Sequence, residues 1–137
     1  MSEFKCEVLT PKQQFFSGMV EAVTCTLADG EMTVWKDHAP LLAALEIGEL
    51  RFKQNDEWQT VYAAEGFIEV RPDEVLIFTQ GCARPEDIDE VRAEEEREQA
   101  MEKLRQKQSL VEYHQTQIAL SRAMAMLRVK RGSGMQR

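Results

Sequence analysis

The sequence predicts an N-terminal antiparallel β-sandwich or barrel followed by a C-terminal antiparallel two-helix hairpin. Three observations carry that reading. Over residues 1–84, short apolar runs alternate with polar residues at the period of a strand, and turn signals break them up. From Ile88 to Val129 there is no proline and no glycine, and Ala, Glu, Gln, Arg, Lys, Met and Leu dominate, all good helix formers. Within that stretch residues 86–98 are acidic and residues 103–137 basic, so two helices folded back on each other would set opposite charges side by side. The 137 residues amount to about one domain plus an appendage. They divide into a sandwich over 1–84, a hairpin over 85–131 and a flexible tail over 132–137.

Phe4, Cys6 and Val8 alternate with Lys5 and Glu7 and form the first predicted strand. Val23, Cys25 and Leu27 alternate with threonines, Asp29-Gly30 turns the chain, and Met32 and Val34 resume the pattern. Gly48 precedes Leu50 and Phe52, and Gln54-Asn55-Asp56-Glu57 is polar enough for a hairpin loop ahead of Trp58, Val61 and Tyr62. After Gly66, Ile68 and Val70 share a face; Pro72-Asp73 turns again and Val75 to Phe78 closes the series. Many short strands of this kind point to a sandwich or barrel. Past Gly81 the period changes. Pro85 suits a first helical turn, where its missing N–H is not needed, and Asp87 with Glu90 resembles a capping box.

Leu110, Tyr113, Gln117, Leu120, Met124 and Leu127 step by three and four and are expected to form the stripe of the second helix. Ala93, Ala100 and Leu104 give a thinner stripe on the first. One unbroken helix would also fit, but the polar break Gln106-Lys107-Gln108-Ser109 favours two. Alanines bury little area, and surface ion pairs are worth about a few tenths of a kcal/mol each. The hairpin is therefore expected to have low intrinsic stability and to open without loss of the sandwich core. Gly132-Ser133-Gly134 is expected to end the order.

Composition excludes several classes of function. The net charge of −7 argues against a nucleic-acid groove. Hydrophobic residues at 43% and charged residues at 30% are the balance of a soluble domain. No apolar run approaches the roughly 18 residues that cross a bilayer. The opening Met-Ser-Glu-Phe-Lys-Cys-Glu carries acids where a targeting peptide needs bases, so the chain is expected in the cytosol or an equivalent compartment. Cys6, Cys25 and Cys82 are an odd number without a C-x-x-C pair, against a disulfide framework and a zinc ribbon. With two histidines, no metal site is expected. There is no phosphate-binding loop, no dinucleotide-binding glycine pattern and no G-x-S-x-G.

His38, in Asp37-His38-Ala39-Pro40, has the chemistry for an acid–base role but reads better as a turn histidine that satisfies backbone groups. Asp87, Asp89 and Glu94 to Glu96 read as a solvated helix face rather than paired catalytic acids, and Met124 and Met126 as packing more than an adaptable binding surface. The residues by themselves point to no enzyme: a nucleotide hydrolase would need a base and a metal site. A stand-alone interaction module docking an acidic or coiled-coil partner is the alternative to the function that follows.

Two segments carry a resemblance. Asp29 to Phe52, DGEMTVWKDHAPLLAALEIGELRF, has a turn glycine, an apolar strand, His-Ala-Pro-Leu-Leu and a later glycine; Gly66 to Asp89 reads GFIEVRPDEVLIFTQGCARPEDID. With the sandwich-then-hairpin layout, the chain resembles the epsilon subunit of the rotary (F-type) ATP synthase over nearly its whole length. The resemblance implies a non-catalytic rotor subunit of the central stalk. It would sit at the cytoplasmic face of a bacterial membrane, held there by the complex. Its implied partners are the gamma subunit, the membrane ring of the proton channel and, through the C-terminal helix, the alpha/beta catalytic head. Glu31 would approach the ring, and His38 to Leu42 would form a framework loop near gamma. The implied hairpin is a brake: folded, it is idle, and extended into the head it restrains ATP hydrolysis. Arg122, Arg128, Lys130 and Arg131 would meet an acidic segment of the catalytic subunits, which favours capture and register more than affinity.

Ile88-Asp89-Glu90-Val91-Arg92-Ala93 matches the [IL]-D-x-x-R-A pattern that binds ATP in some bacterial members of that family. The resemblance implies ATP as a regulatory ligand, with no required cofactor. Asp89 and Arg92 would share a helix face, and Arg122 would bring a second cation to the phosphates. An ordinary i, i+3 ion pair is the competing reading of Asp89 and Arg92. Another arginine of the family site falls at Met126 here, which removes a charge-assisted contact worth about 1.5–3 kcal/mol. If ATP bound only the folded hairpin, nucleotide at about a hundred times its dissociation constant would favour that form by about 2.7 kcal/mol.

Overall fold

The computed structural model describes residues 2–135 and falls into two compact units, Met1–Ala83 and Arg84–Arg137. The first unit is a sandwich of ten strands: β1 (Phe4–Leu9), β2 (Gln14–Val20), β3 (Ala22–Leu27), β4 (Gly30–Val34), β5 (Leu41–Leu45), β6 (Gly48–Gln54), β7 (Glu57–Ala63), β8 (Gly66–Arg71), β9 (Glu74–Thr79) and β10 (Cys82–Ala83). They form two five-stranded sheets, ordered β2-β1-β9-β8-β5 and β10-β7-β6-β3-β4. All ladders are antiparallel except one. β1 lies parallel to β9, from Lys5 opposite Glu74 to Leu9 opposite Phe78.

Alternation decides which side chains are inside. Phe4, Cys6 and Val8 of β1, Ile68 and Val70 of β8, and Val75 and Ile77 of β9 face Leu50 and Phe52 of β6 and Val23, Val34 and Val61 of the other sheet in one buried cluster. Phe16 of β2 lays its ring on Phe52 with centroids 4.5 Å apart, tying the sheets at one edge. Cys6 and Cys25 are free and buried; burial pushes their thiols up to about 12 and about 11, so both stay protonated and inert at neutral pH. Gly66 is obligatory for a packing reason, because a Cβ there would lie 1.8 Å from the Phe78 carbonyl oxygen across the β8–β9 ladder.

Three strands go beyond the sequence expectation. β2, with its run Gln-Phe-Phe-Ser-Gly-Met-Val, lacks clean alternation because it is a half-covered edge strand. β5 is a Leu-Leu-Ala-Ala-Leu run that places Leu41 and Leu42 in a strand, so the expected framework loop from His38 to Leu42 is a loop only as far as Pro40. β10 is two residues long and pairs with β7.

The second unit opens with a 3-10 turn at Pro85–Asp87 and continues as α1 (Glu90–Leu104) and α2 (Leu110–Met135). Pro85 sits in the first helical turn as expected. The expected capping box on Asp87 is corrected. Asp89 is the N-cap of α1, and its Oδ1 accepts the Arg92 N–H at 3.1 Å. The capping box belongs to α2 instead: Ser109 Oγ accepts the Glu112 N–H at 3.2 Å while Glu112 Oε1 accepts the Ser109 N–H at 3.1 Å.

The thin stripe on α1 holds, with Ala93 and Ala100 buried. The expected stripe on α2 holds only in part, at Leu127, which is buried, and Leu120, which is half-buried. Leu110, Tyr113 and Met124 are exposed, and the buried positions are Thr116, Ala123, Ala125, Leu127 and Val129. Close approach to an alanine-lined α1 favours small side chains such as Thr116 and Ala123 beside Leu127, and helical spacing of larger apolar residues does not reveal which face that is. α2 continues through Gly132 to Met135, past the point where the glycines were expected to end the order. The rest of the expected tail, residues 136 and 137, lies outside the described residues.

Candidate functional site

The register of the hairpin follows from its contacts. Arg131 near the end of α2 pairs with Glu90 and Glu94 at the start of α1. At the other end Thr116 Oγ1 donates to Gln108 Oε1 in the connecting turn at 3.1 Å. The helices are therefore antiparallel, and the hairpin has two flanks. On one flank a cleft of about 370 Å³ opens between the helices, lined by Glu96, Gln99 and Lys103 of α1 and by Gln115 and Ala119 of α2, among others. Stepping back along α1 by three and four from Glu96 leads to Arg92 and Asp89, and stepping forward along α2 from Ala119 leads to Arg122 and Met126. On the other flank lie Glu90, Glu94, Arg97 and Met101 of α1, with Arg131 of α2 reaching across.

The sequence-derived nucleotide residues thus share one side. Ile88 is buried just before α1, and Ala93 is buried on the interhelix face, so both serve as framework. Arg92 is exposed one turn into α1. The Asp89 carboxylate acts as the helix cap for the Arg92 main chain. Arg122 is half-buried on α2. It stands nine residues before Arg131, which puts it about 13 Å along the helix from the level of Arg92. The two arginines therefore lie beyond the residues that line the cleft, on the same side of the hairpin but at different levels along it. Met126 is half-buried between those two levels.

The cations assigned to a partner are placed differently from one another. Arg128 is exposed. Lys130 Nζ donates to the Pro85 carbonyl oxygen at 2.9 Å. Arg131 donates from Nε to Glu90 Oε2 at 2.9 Å and from Nη2 to Glu94 Oε2 at 2.8 Å. Arg97, bonded to Glu94 from within α1, and Arg131 hold the Glu94 carboxyl below the usual carboxylate range. In the sequence Glu90 reads as a capping-box acid and Glu94 as part of a solvated face; the structure gives both to Arg131 instead. The acidic run from Glu86 to Glu98 signals that some acid would face the basic helix, but only the register selects Glu90 and Glu94.

On the sandwich, Glu31 lies in β4 just after the turn made by Gly30, whose φ is 127°. The Arg51 guanidinium pairs with it, with Nη2 at 3.0 and 3.1 Å from the two carboxylate oxygens. His38 is a turn residue: its Nδ1 lies 2.8 Å from the Ala39 carbonyl oxygen and its N–H donates to Trp35 at 3.2 Å. The loop it belongs to leads into β5, the edge of an apolar outer face. Ala44, Phe67, Phe78 and Leu9 form one row across four strands. The Phe67 and Phe78 rings stack at 5.2 Å, and Leu42 beside them is 69% exposed. The row forms a partly exposed apolar patch on the outer face of the sheet. Among the described residues no group of three or more His, Cys, Asp or Glu side chains is arranged to hold a metal ion, and no helix is long and apolar enough to cross a membrane.

Comparison with known proteins agrees with this two-part layout. Residues 3–85 match the family described as ATP synthase, Delta/Epsilon chain, beta-sandwich domain, and residues 86–131 match ATP synthase, Delta/Epsilon chain, long alpha-helix domain. The chain is 42% identical over 127 residues to the ATP synthase epsilon chain of Ruminiclostridium cellulolyticum, covering 93% of this chain and 95% of that one. It is 40% identical to the epsilon chain of Caldanaerobacter subterraneus over 92% of each. Among solved structures it superposes on a chain of the Euglena gracilis mitochondrial ATP synthase (OSCP/F1/c-ring) with a TM-score of 0.81 at 20% identity, covering 99% of this chain and 83% of that one. A chain of the Tetrahymena thermophila mitochondrial ATP synthase central stalk and c-ring gives a TM-score of 0.65 at 10% identity, covering 94% and 97%.

Proposed function

This chain belongs to the family of ATP synthase epsilon subunits, and from that membership we propose that it is a non-catalytic rotor subunit whose helical hairpin restrains ATP hydrolysis when extended and leaves it free when folded. Family membership displaces the stand-alone module as a reading. The sandwich holds the gamma subunit and meets the membrane ring of the proton channel, at the cytoplasmic face of a bacterial membrane. The apolar row from Ala44 to Leu9 with the neighbouring Leu42 supports a gamma-facing surface. Glu31, exposed at the β3–β4 turn and oriented by Arg51, supports a polar contact with the ring.

The observation that carries the switch is how the hairpin is held. Its interhelix side is made of alanines, a buried threonine and few large side chains, and its far end is closed by hydrogen bonds and exposed ion pairs. Such contacts are individually weak, so opening costs little compared with opening the sandwich. ATP biases this equilibrium by lying along the groove flank, with its phosphates near Arg92 and Arg122; that these share one side of the folded hairpin supports the reading. Because Arg92 stands on α1 and Arg122 on α2, only the folded form offers both to one ligand.

The experiment is to add the full chain to a catalytic head that lacks it and to compare it with a chain truncated after Asp87. The full chain is expected to slow hydrolysis at low ATP, and the truncated chain is expected to bind without slowing it. Equal hydrolysis with both chains would overturn the switch.

A further inference from the structure

The flank of the hairpin opposite the groove bears a charge arrangement that the nucleotide reading leaves unused. Glu90, Glu94 and Arg97 follow one another at helical spacing on α1. Arg131 crosses from α2 and divides its guanidinium between two carboxylates one turn apart, Nε to Glu90 and Nη2 to Glu94. The adjacent Lys130 crosses as well, to the Pro85 carbonyl oxygen. Two consecutive cations at the end of α2 are thus tied to the first turn of α1 and to the segment before it.

Resting on the switch described above, we propose that Glu90 and Glu94 are a built-in acidic decoy, which occupies Arg131 in the folded hairpin with the same chemistry that an acidic partner helix offers in the extended one. A guanidinium reads carboxylates through a planar fork, and carboxylates spaced one turn apart on any helix present the same target. Moving Arg131 from its own chain's glutamates to a partner's acids replaces like with like. Neither state leaves the guanidinium unpaired, so the transfer has a small net cost, and the balance responds to modest biases such as bound nucleotide. The decoy therefore sets the threshold at which the head captures α2.

The test uses the full chain with Glu90→Gln and Glu94→Gln together. Both sites lie on an exposed helix flank, and sandwich amides serve as the folding control. Hydrogen exchange in peptides from α1 and α2 is expected to quicken roughly threefold to tenfold, as loss of a small surface network would do, with the sandwich unchanged. The charge-swapped chain carrying Glu90→Lys, Glu94→Lys and Arg131→Glu is expected to return to slow exchange. Unchanged exchange in the double variant, or no recovery in the swap, overturns the clasp. In the hydrolysis assay the double variant is expected to inhibit at a concentration lower by a similar factor. A wild-type chain that inhibits, beside a variant that inhibits no more strongly, overturns the decoy and leaves the switch standing. A wild-type chain that does not inhibit overturns the switch and the decoy with it.

Discussion

At the scale of single residues, Glu94 carries the most physical consequence for its size. Arg97 on its own helix donates to it, and Arg131 donates from α2; together they favour the ionised carboxyl and lower its pKa in the folded chain. A carboxyl depressed by folding contributes stability above the ordinary carboxylate range and loses that contribution as pH falls through its folded pKa. The hairpin is therefore expected to loosen on acidification below the usual carboxylate range, while Arg131, whose pKa is raised by Glu90 and Glu94, stays charged throughout. Glu90 is the other acid paired with Arg131. Hydrogen exchange of α1 peptides measured from neutral to acid pH at low salt should show this loss. The Glu94→Gln chain should show a flatter profile, and an identical profile in both chains would refute the assignment.

At the scale of elements, the caps are the sharpest test of how the hairpin is built. Ser109 and Glu112 satisfy each other's main-chain N–H groups at the start of α2, and Gln108 Nε2 donates back to the Lys103 carbonyl oxygen at the end of α1, at 2.8 Å. Ser109→Ala is expected to destabilise the helical unit by about 0.5–2 kcal/mol, the usual worth of an N-cap, and to leave the sandwich transition unmoved. Local unfolding by hydrogen exchange would read both.

The same elements show what was legible in the sequence. The Ser-x-x-Glu pattern at 109–112 is in plain view but begins on the last residue of a polar run, Gln106 to Ser109, that reads only as a break. β1, β8 and β9 are legible because one face of each is buried and the other only partly covered, and β3 because apolar residues alternate with threonines, although both of its faces are largely buried. β5 was not, because Leu-Leu-Ala-Ala-Leu has no alternation to read. The face of α2 was misjudged for a physical reason: a helix apolar on several sides has no single stripe, and the small residues Ala123 and Thr116 were outweighed by Leu110, Tyr113 and Met124, which are exposed. The nucleotide residues came from a motif, and only the antiparallel register shows that Arg92 and Arg122 lie on one flank.

At the scale of the whole molecule, a β unit is joined to a helical unit, and in the proposed switch a ligand acts on the second without remaking the first. Mass action sets how strong that control is: a ligand that binds only the folded hairpin stabilises it in proportion to the logarithm of its concentration over its dissociation constant. Tuning the affinity therefore tunes the ATP level at which the brake engages. On the proposed nucleotide reading, Met126 is the position at which this chain lacks a family cation. It lies one turn beyond Arg122 on the same side of the hairpin, half-buried, and a guanidinium there would stand closer to the level of Arg92. Met126→Arg is expected to tighten ATP binding by about tenfold or more, as one charge-assisted hydrogen bond worth about 1.5–3 kcal/mol would. In the assembled enzyme it should shift release of inhibition to a correspondingly lower ATP concentration. Calorimetric titration of ATP into the isolated wild-type and variant chains, with Arg92→Ala as the variant that loses binding, checks the first half, and hydrolysis against ATP concentration checks the second. If Met126→Arg binds no tighter while Arg92→Ala still abolishes binding, the nucleotide does not extend along the groove toward α2. If neither substitution changes the heat, the groove is not the nucleotide's site.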